Sequence, residues 1–127
     1  MGTKILVVDD ELDVQDLFVQ RFRKEIKAGD YDFTFATSGE QALQLLSNFG
    51  SEAVLILSDI NMPGMSGLEL LDRIKKEHPT PPPIVMMITA YGDPDTKQRA
   101  TSLGADDFLN KPLDFLSLKE KLTKLAV

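Results

Sequence analysis

The side chains best suited to polar chemistry stand where apolar runs end. Asp9 and Asp10 follow Ile5 to Val8, Ser58 and Asp59 follow Val54 to Leu57, Thr89 follows Ile84 to Ile88, and Asn110 and Lys111 close a shorter run from Asp107 to Leu109. If those runs are neighbouring strands, three carboxylates, a hydroxyl and an ammonium converge on one rim, where open parallel sheets bind ligands. Carboxylates without histidine or cysteine are all-oxygen donors, which suit a hard cation that keeps some of its water, Mg2+ ahead of Ca2+ or Mn2+. A hydroxyl donor and a cation beside them would suit the equatorial oxygens of a transferred phosphoryl group, with Asp59 as the nucleophile.

Each residue also has a plainer reading. Asp9 or Asp10 could be a helix N-cap, worth about 1 kcal/mol, with Glu11 and Asp13 complementing the positive end of the helix dipole. Lys111 alone would be a solvated lysine and Thr89 a strand-end threonine. Asp59 tips the balance, because it reaches the same rim from another strand. Two carboxylates about 5 Å apart repel by roughly 3 kcal/mol at an effective dielectric of 20. Capping does not account for that cost; a divalent cation does.

The elements that must hold these residues follow from periodicity. Ile5 to Val8 reads as a buried strand and Val14, Leu17, Phe18, Phe22 and Ile26 as the apolar stripe of a helix. Tyr31, Phe33 and Phe35 alternate with polar residues as a half-buried strand. Ser38 and Gln41 then frame a capping box for a helix that turns Ala42, Leu45, Leu46 and Phe49 inward. Val54 to Leu57 is the third strand. Ser66 and Glu69 open the next helix, with Leu68, Leu71 and Ile74 on its apolar side, and the prolines of "EHPTPPP" stop it. Ile84 to Ile88 is the fourth strand; a weaker helix from Pro94 to Leu103 ends at Gly104. A fifth strand at Asp107 to Leu109 precedes a last helix lined by Phe115, Leu118, Leu122 and Leu125. Strand starts roughly 20 to 30 residues apart, alternating with helices, predict an α/β class with a parallel sheet covered on both faces.

The totals bound the rest. A chain of 127 residues, 43% apolar and 27% charged, fits one globular domain, 1–127, with no room for an output domain. No segment is apolar for long enough to cross a bilayer, and nothing N-terminal resembles a signal peptide. A net charge of −6 disfavours direct nucleic-acid binding. The absence of cysteine suits a reducing cytoplasm.

"VVDDE", "LILSDINMPGMSGLELL", "IVMMITA" and "GADDFLNKP" together resemble the receiver domain of bacterial two-component response regulators, in the family's order and spacing and over essentially the whole chain. The resemblance implies a flavodoxin-like (βα)5 three-layer sandwich with strand order 2-1-3-4-5. It implies that Asp59 accepts a phosphoryl group from a histidine kinase or histidine phosphotransfer protein. Asp10 would bind Mg2+ directly, Asp9 largely through water, and Asn61 through its main-chain carbonyl. Thr89 and Lys111 would contact the phosphoryl oxygens, and Lys111–Pro112 would be a cis peptide. Phe108 falls at the family's switch-aromatic position, from which a ring turned inward alters the surface of the fourth helix, fifth strand and fifth helix. Phe lacks the hydroxyl of the commoner Tyr, so packing alone must distinguish its settings; the plain alternative is a core Phe. Asn61 and Tyr91 are expected to modulate the rate, Tyr91 by shielding the acyl phosphate from water.

The function expected is a phosphorylation-controlled binding switch, cytoplasmic, that turns over no external substrate. It would act on a downstream protein or a linked output domain, as a monomer or a weak dimer through the same switching surface. A scaffold that binds partners without phosphorylation is countered by the complete set Asp9, Asp10, Asp59, Thr89 and Lys111. An aspartyl-phosphate phosphatase of the haloacid-dehalogenase type needs an acid where Asn61 stands. A flavodoxin-like electron carrier needs a phosphate cradle, and "DDELD" would repel that anion. His78 reads as a helix-end histidine. Arg21, Arg23, Lys24 and Lys27 read as a solvated face with a kinase-docking contribution as the alternative, and Met62, Met65, Met86 and Met87 read as packing.

Overall fold

The computed structural model describes residues 3–49, 54–77, 83–89 and 94–125. The expectations for His78, the Pro79 to Pro82 cluster and Tyr91 lie outside the described residues, as do the side chains of Phe49 and Leu125. The elements run β1 (Thr3–Val8), α1 (Asp13–Arg21), α2 (Arg23–Ala28), β2 (Tyr31–Ala36), α3 (Gly39–Phe49), β3 (Val54–Asp59), α4 (Gly67–Glu77), β4 (Ile84–Thr89), α5 (Pro94–Ser102), β5 (Asp107–Asn110) and α6 (Phe115–Leu125). The five strands form one parallel sheet in the order β2-β1-β3-β4-β5. The α/β class and the 2-1-3-4-5 order expected above are what the chain adopts.

Strand alternation divides the core into two layers. Ile5, Val7, Leu55, Leu57, Met86 and Ile88 face α1 and α6, meeting Phe18, Phe22, Leu118 and Leu122. Leu6, Val8, Ile56, Val85 and Met87 face α3, α4 and α5, meeting Leu46, Leu70, Ile74 and Ala100. Both faces of the sheet are thus covered, which is why the central strands read as unbroken apolar runs. The first layer is aromatic: Phe18 and Phe22 stack at 5.9 Å between ring centroids, and Phe33 and Phe115 pack around them. The alternating Tyr31, Phe33 and Phe35 are half-buried against this layer.

The first helical stripe departs from expectation. Phe22, at φ −108° and ψ 20°, interrupts the helix, so one predicted helix becomes α1 and α2 and the described residues form six. Of the stripe, Phe18 and Phe22 are buried, whereas Leu17 and Ile26 are exposed. The fourth and fifth helices of the sequence reading are therefore α5 and α6.

Helix ends follow local chemistry. The Gln41 N–H donates to Ser38 Oγ at 3.1 Å, and Gln41 Oε1 reaches back to the Thr37 N–H at 2.7 Å, one residue earlier than a simple capping box. Glu69 N–H donates to Ser66 Oγ at 3.2 Å. Gly104, at φ +106°, closes α5: the Ala105 N–H reaches the Ala100 carbonyl and the Gly104 N–H that of Thr101. Immediately after it, Asp106 Oδ2 accepts from the Val85 N–H at 2.8 Å and from Lys75 Nζ at 3.0 Å, while Lys75 also donates to the Pro83 carbonyl.

Candidate functional site

Strand register brings the acids together. Val8 pairs with Ser58 across β1 and β3, so Asp9 and Asp59 stand one step further along their strands, side by side at the carboxyl end of the sheet. Both share the parity of the residues facing α1 and α6, and so does Lys111, two residues beyond the buried Leu109. Lys111 Nζ lies 2.9 Å from Asp59 Oδ2 and 3.5 Å from Asp9 Oδ2. Asp9 and Asp59 are buried, whereas the ammonium side chain keeps 26% of its exposure. The Asn61 N–H donates to the other Asp59 oxygen at 3.3 Å, and the Glu11 N–H to Asp9 Oδ1 at 2.9 Å.

Burial pushes the Asp9 carboxyl above the ordinary carboxylate range, reinforced by the charges of Asp59 and Glu11; the Glu11 N–H and the Lys111 ammonium offset only part of this. For Lys111, burial works against the charge, but the hydrogen bond to Asp59 and the charges of Asp59 and Asp9 outweigh it and hold the ammonium above the usual lysine range. The rim is an acid cluster with one cation against it. An oxygen from each of Asp9, Asp10 and Asp59 lies within 4.8 Å of the others, and Asp10 is exposed. Three carboxylate oxygens at that separation, with no imidazole or thiolate among them, form a donor set that fits a hard divalent cation.

The capping alternative for Asp9 and Asp10 is not what the chain does. Leu12 is the N-cap of α1 and makes no side-chain cap, and Asp9 spends its oxygen on the Glu11 N–H before the helix begins. Asp13 lies in the first turn of α1 with Asp16, where negative charge complements the dipole. Thr89 is buried at the end of β4, and its carbonyl accepts from the Lys111 N–H at 2.9 Å. By parity it shares the α3–α5 face with Phe108, which pairs with Met87 and is half-buried against the core there. The Lys111–Pro112 peptide is cis. Ser58, named with Asp59 at the end of its strand, is turned to the opposite face from Asp59 and donates to the Asp59 carbonyl at 3.1 Å. The basic residues Arg21, Arg23, Lys24 and Lys27 are exposed, with Arg21 over the Phe115 ring at 5.6 Å. Met62, Met86 and Met87 are buried and Met65 half-buried.

Two further residues support the elements that carry the site. Gly67 opens α4 hard against the strand that carries Asp59: a Cβ there would meet the Asp59 carbonyl oxygen and come within 2.7 Å of the Ile60 Cα. Its N–H donates to the Ile60 carbonyl at 2.8 Å, so the nucleophile candidate's backbone is clamped from beneath. Asp114 begins α6, accepting from the N–H groups of Leu116 and Ser117 at 3.0 and 3.3 Å and from Ser117 Oγ at 3.1 Å. An Asp two residues past Pro112 and just before an apolar stripe was the available signal.

The chain is similar to known proteins in sequence and in fold. A family model described as the response regulator receiver domain matches residues 5–123. The response regulator protein PilR of Pseudomonas aeruginosa is 40% identical over 92% of this chain and 24% of its own length. Sporulation initiation phosphotransferase F of Bacillus subtilis is 35% identical over 98% of this chain and 94% of its own. The crystal structure of a CheY-like response regulator receiver domain protein from Methanospirillum hungatei superposes with a TM-score of 0.84 at 28% identity, covering 99% of this chain and 94% of that one. The chain spans 24% to 50% of the length of four of the curated relatives it matches.

Proposed function

Because the chain belongs to the response regulator receiver domain family, we propose that it is a phosphorylation-controlled switch of a two-component phosphorelay, with Asp59 as the phosphoryl acceptor. The observation that carries this reading is the placement of Lys111 Nζ at 2.9 Å from Asp59 Oδ2 inside a three-carboxylate rim. An Asp59 oxygen bonds to phosphorus as the phosphorus–nitrogen bond to a donor phosphohistidine breaks and the imidazole departs with the electron pair. The donor is a histidine kinase or a histidine phosphotransfer protein. Lys111 neutralises charge on the phosphoryl oxygens, and Thr89 supplies its hydroxyl to them.

Asp9, Asp10 and Asp59 would hold Mg2+, with Asn61 contributing its main-chain carbonyl. When bound, the ion supplies further charge neutralisation at the phosphoryl oxygens. Phe108, on the same face of the sheet as Thr89, then changes setting and alters the surface of α5, β5 and α6. That surface acts on a downstream protein or a linked output domain, in the cytoplasm. The family membership and the absence, among the described residues, of any helix long and apolar enough to cross a membrane agree with a signalling role of this kind.

The test is incubation with acetyl phosphate and Mg2+ followed by intact mass. A gain of one phosphoryl group that is lost in Asp59→Ala is expected. No gain, or a gain that survives Asp59→Ala, overturns the reading.

A further inference from the structure

The core holds α5 lightly. Its segment "PDTKQRATS" buries one side chain, Ala100. Elements secured by so few apolar contacts open at low cost. Lys97 lies one turn before Ala100, on the same side of the helix, and its Nζ stands 5.9 Å from the centroid of the Phe108 ring. That ring belongs to β5 and packs against the core layer that contains Ala100 and Met87. A lysine ammonium at this distance over an aromatic face is attracted by the ring's quadrupole.

Phe108 has no hydroxyl with which to fix its setting by a hydrogen bond. We propose that Lys97 supplies the missing hold: its ammonium on the ring face stabilises Phe108 in the setting seen in this structure and ties α5 to β5. A ring that turns away leaves Lys97 without that aromatic partner, so ring setting and helix attachment change together. Lys97 is thus a positioning residue for the switch and takes no part in phosphoryl transfer. The switching consequence rests on the reading of Phe108 given above, whereas the attachment of α5 does not.

The attraction at a partly exposed site corresponds to an equilibrium factor of about 2 to 5. Two variants separate charge from shape: Lys97→Met keeps the aliphatic stem without the ammonium, and Lys97→Arg keeps a cation that can lie on the ring. In Lys97→Met, amide hydrogen exchange in α5 is expected to accelerate about 2- to 5-fold. The Phe108 ring signals, read in 13C-phenylalanine-labelled protein and assigned with Phe108→Leu, should move part of the way toward their position in protein phosphorylated with acetyl phosphate and Mg2+. Lys97→Arg should restore both. Unchanged exchange in Lys97→Met, or Lys97→Arg behaving like Lys97→Met, overturns the Lys97 hold. If phosphorylation of the parent leaves the Phe108 signals in place, the switch reading of Phe108 fails instead, and the exchange measurement still decides the role of Lys97.

Discussion

Lys111 donates to Asp59 across 52 positions of the chain, Nζ to Oδ2 at 2.9 Å, and is the cation that faces two buried carboxylates at once. Removing it leaves Asp9 and Asp59 repelling each other with only the Glu11 and Asn61 N–H groups to offset their charge.

Lys111→Met is therefore expected to destabilise the protein by on the order of 2 kcal/mol without Mg2+, less than the roughly 3–5 kcal/mol of a fully buried pair because the ammonium keeps partial exposure. Urea unfolding measures this. Adding Asp59→Asn to that variant should recover most of the loss, since one of the two like charges is gone. Losses that simply add would mean that the two residues are not energetically coupled.

Mg2+ should stabilise the parent through the same carboxylates. At a free concentration ten times the dissociation constant the gain is about 1.4 kcal/mol, from mass action on the folded state. In Asp9→Asn and in Asp59→Asn the gain should fall to a small fraction of that, read as the shift of the urea midpoint between protein with chelator and protein with Mg2+. An undiminished shift in both variants would place the ion elsewhere.

Gly67→Ala is expected to cost roughly 1–3 kcal/mol, because the new methyl meets the fixed carbonyl of Asp59 rather than a side chain that can move. Gly39→Ala meets only the flexible Met65 side chain and should cost less. Denaturant midpoints rank the two, and equal losses would remove the case for a special approach at Gly67.

The pair Asp107 and Lys121, 2.7 Å apart on β5 and α6, gives a pH dependence with a definite sign. Burial raises the Asp107 carboxyl, but the Lys121 hydrogen bond, the Phe108 N–H and the Lys121 charge outweigh it and hold the carboxyl below its ordinary value of 3.8. A depressed folded value means stability present above 3.8 and lost as pH falls through the folded value. Asp107→Asn should thus be less stable than the parent at pH 6 by under about 1 kcal/mol, since both side chains stay a third or more exposed. The gap should close in strong acid. A gap that persists there would assign the loss to packing.

The strands and the rim acids were legible because each depends on sequence-local facts. A strand covered on both faces reads as an uninterrupted apolar run, and a polar residue ending that run must emerge at the rim. The first helix shows the limit. Its 3.6-residue stripe includes Leu17 and Ile26, yet the helix breaks at Phe22 and both of these residues are exposed. The close approach of Gly67 to the Asp59 carbonyl is a tertiary contact with no local signature. The same holds for Lys97 over Phe108, whose partners lie on separate elements. Asp114 lacks an acid or amide three positions on, so the helix it caps carries no complete capping box.

The Lys75–Asp106 junction ties the exit of α5 to two other elements. Asp106 accepts from Val85 and Lys75, and its own N–H donates to the Val85 carbonyl at 2.8 Å. The exit of α5 is thereby moored to α4 and to the start of β4, at the edge of the sheet far from the acids. Its entry, at Pro94, follows the strand end that carries Thr89. Moving the exit of α5 off the sheet therefore means breaking bonds to two other elements at once, the Lys75 ammonium of α4 and the Val85 N–H of β4.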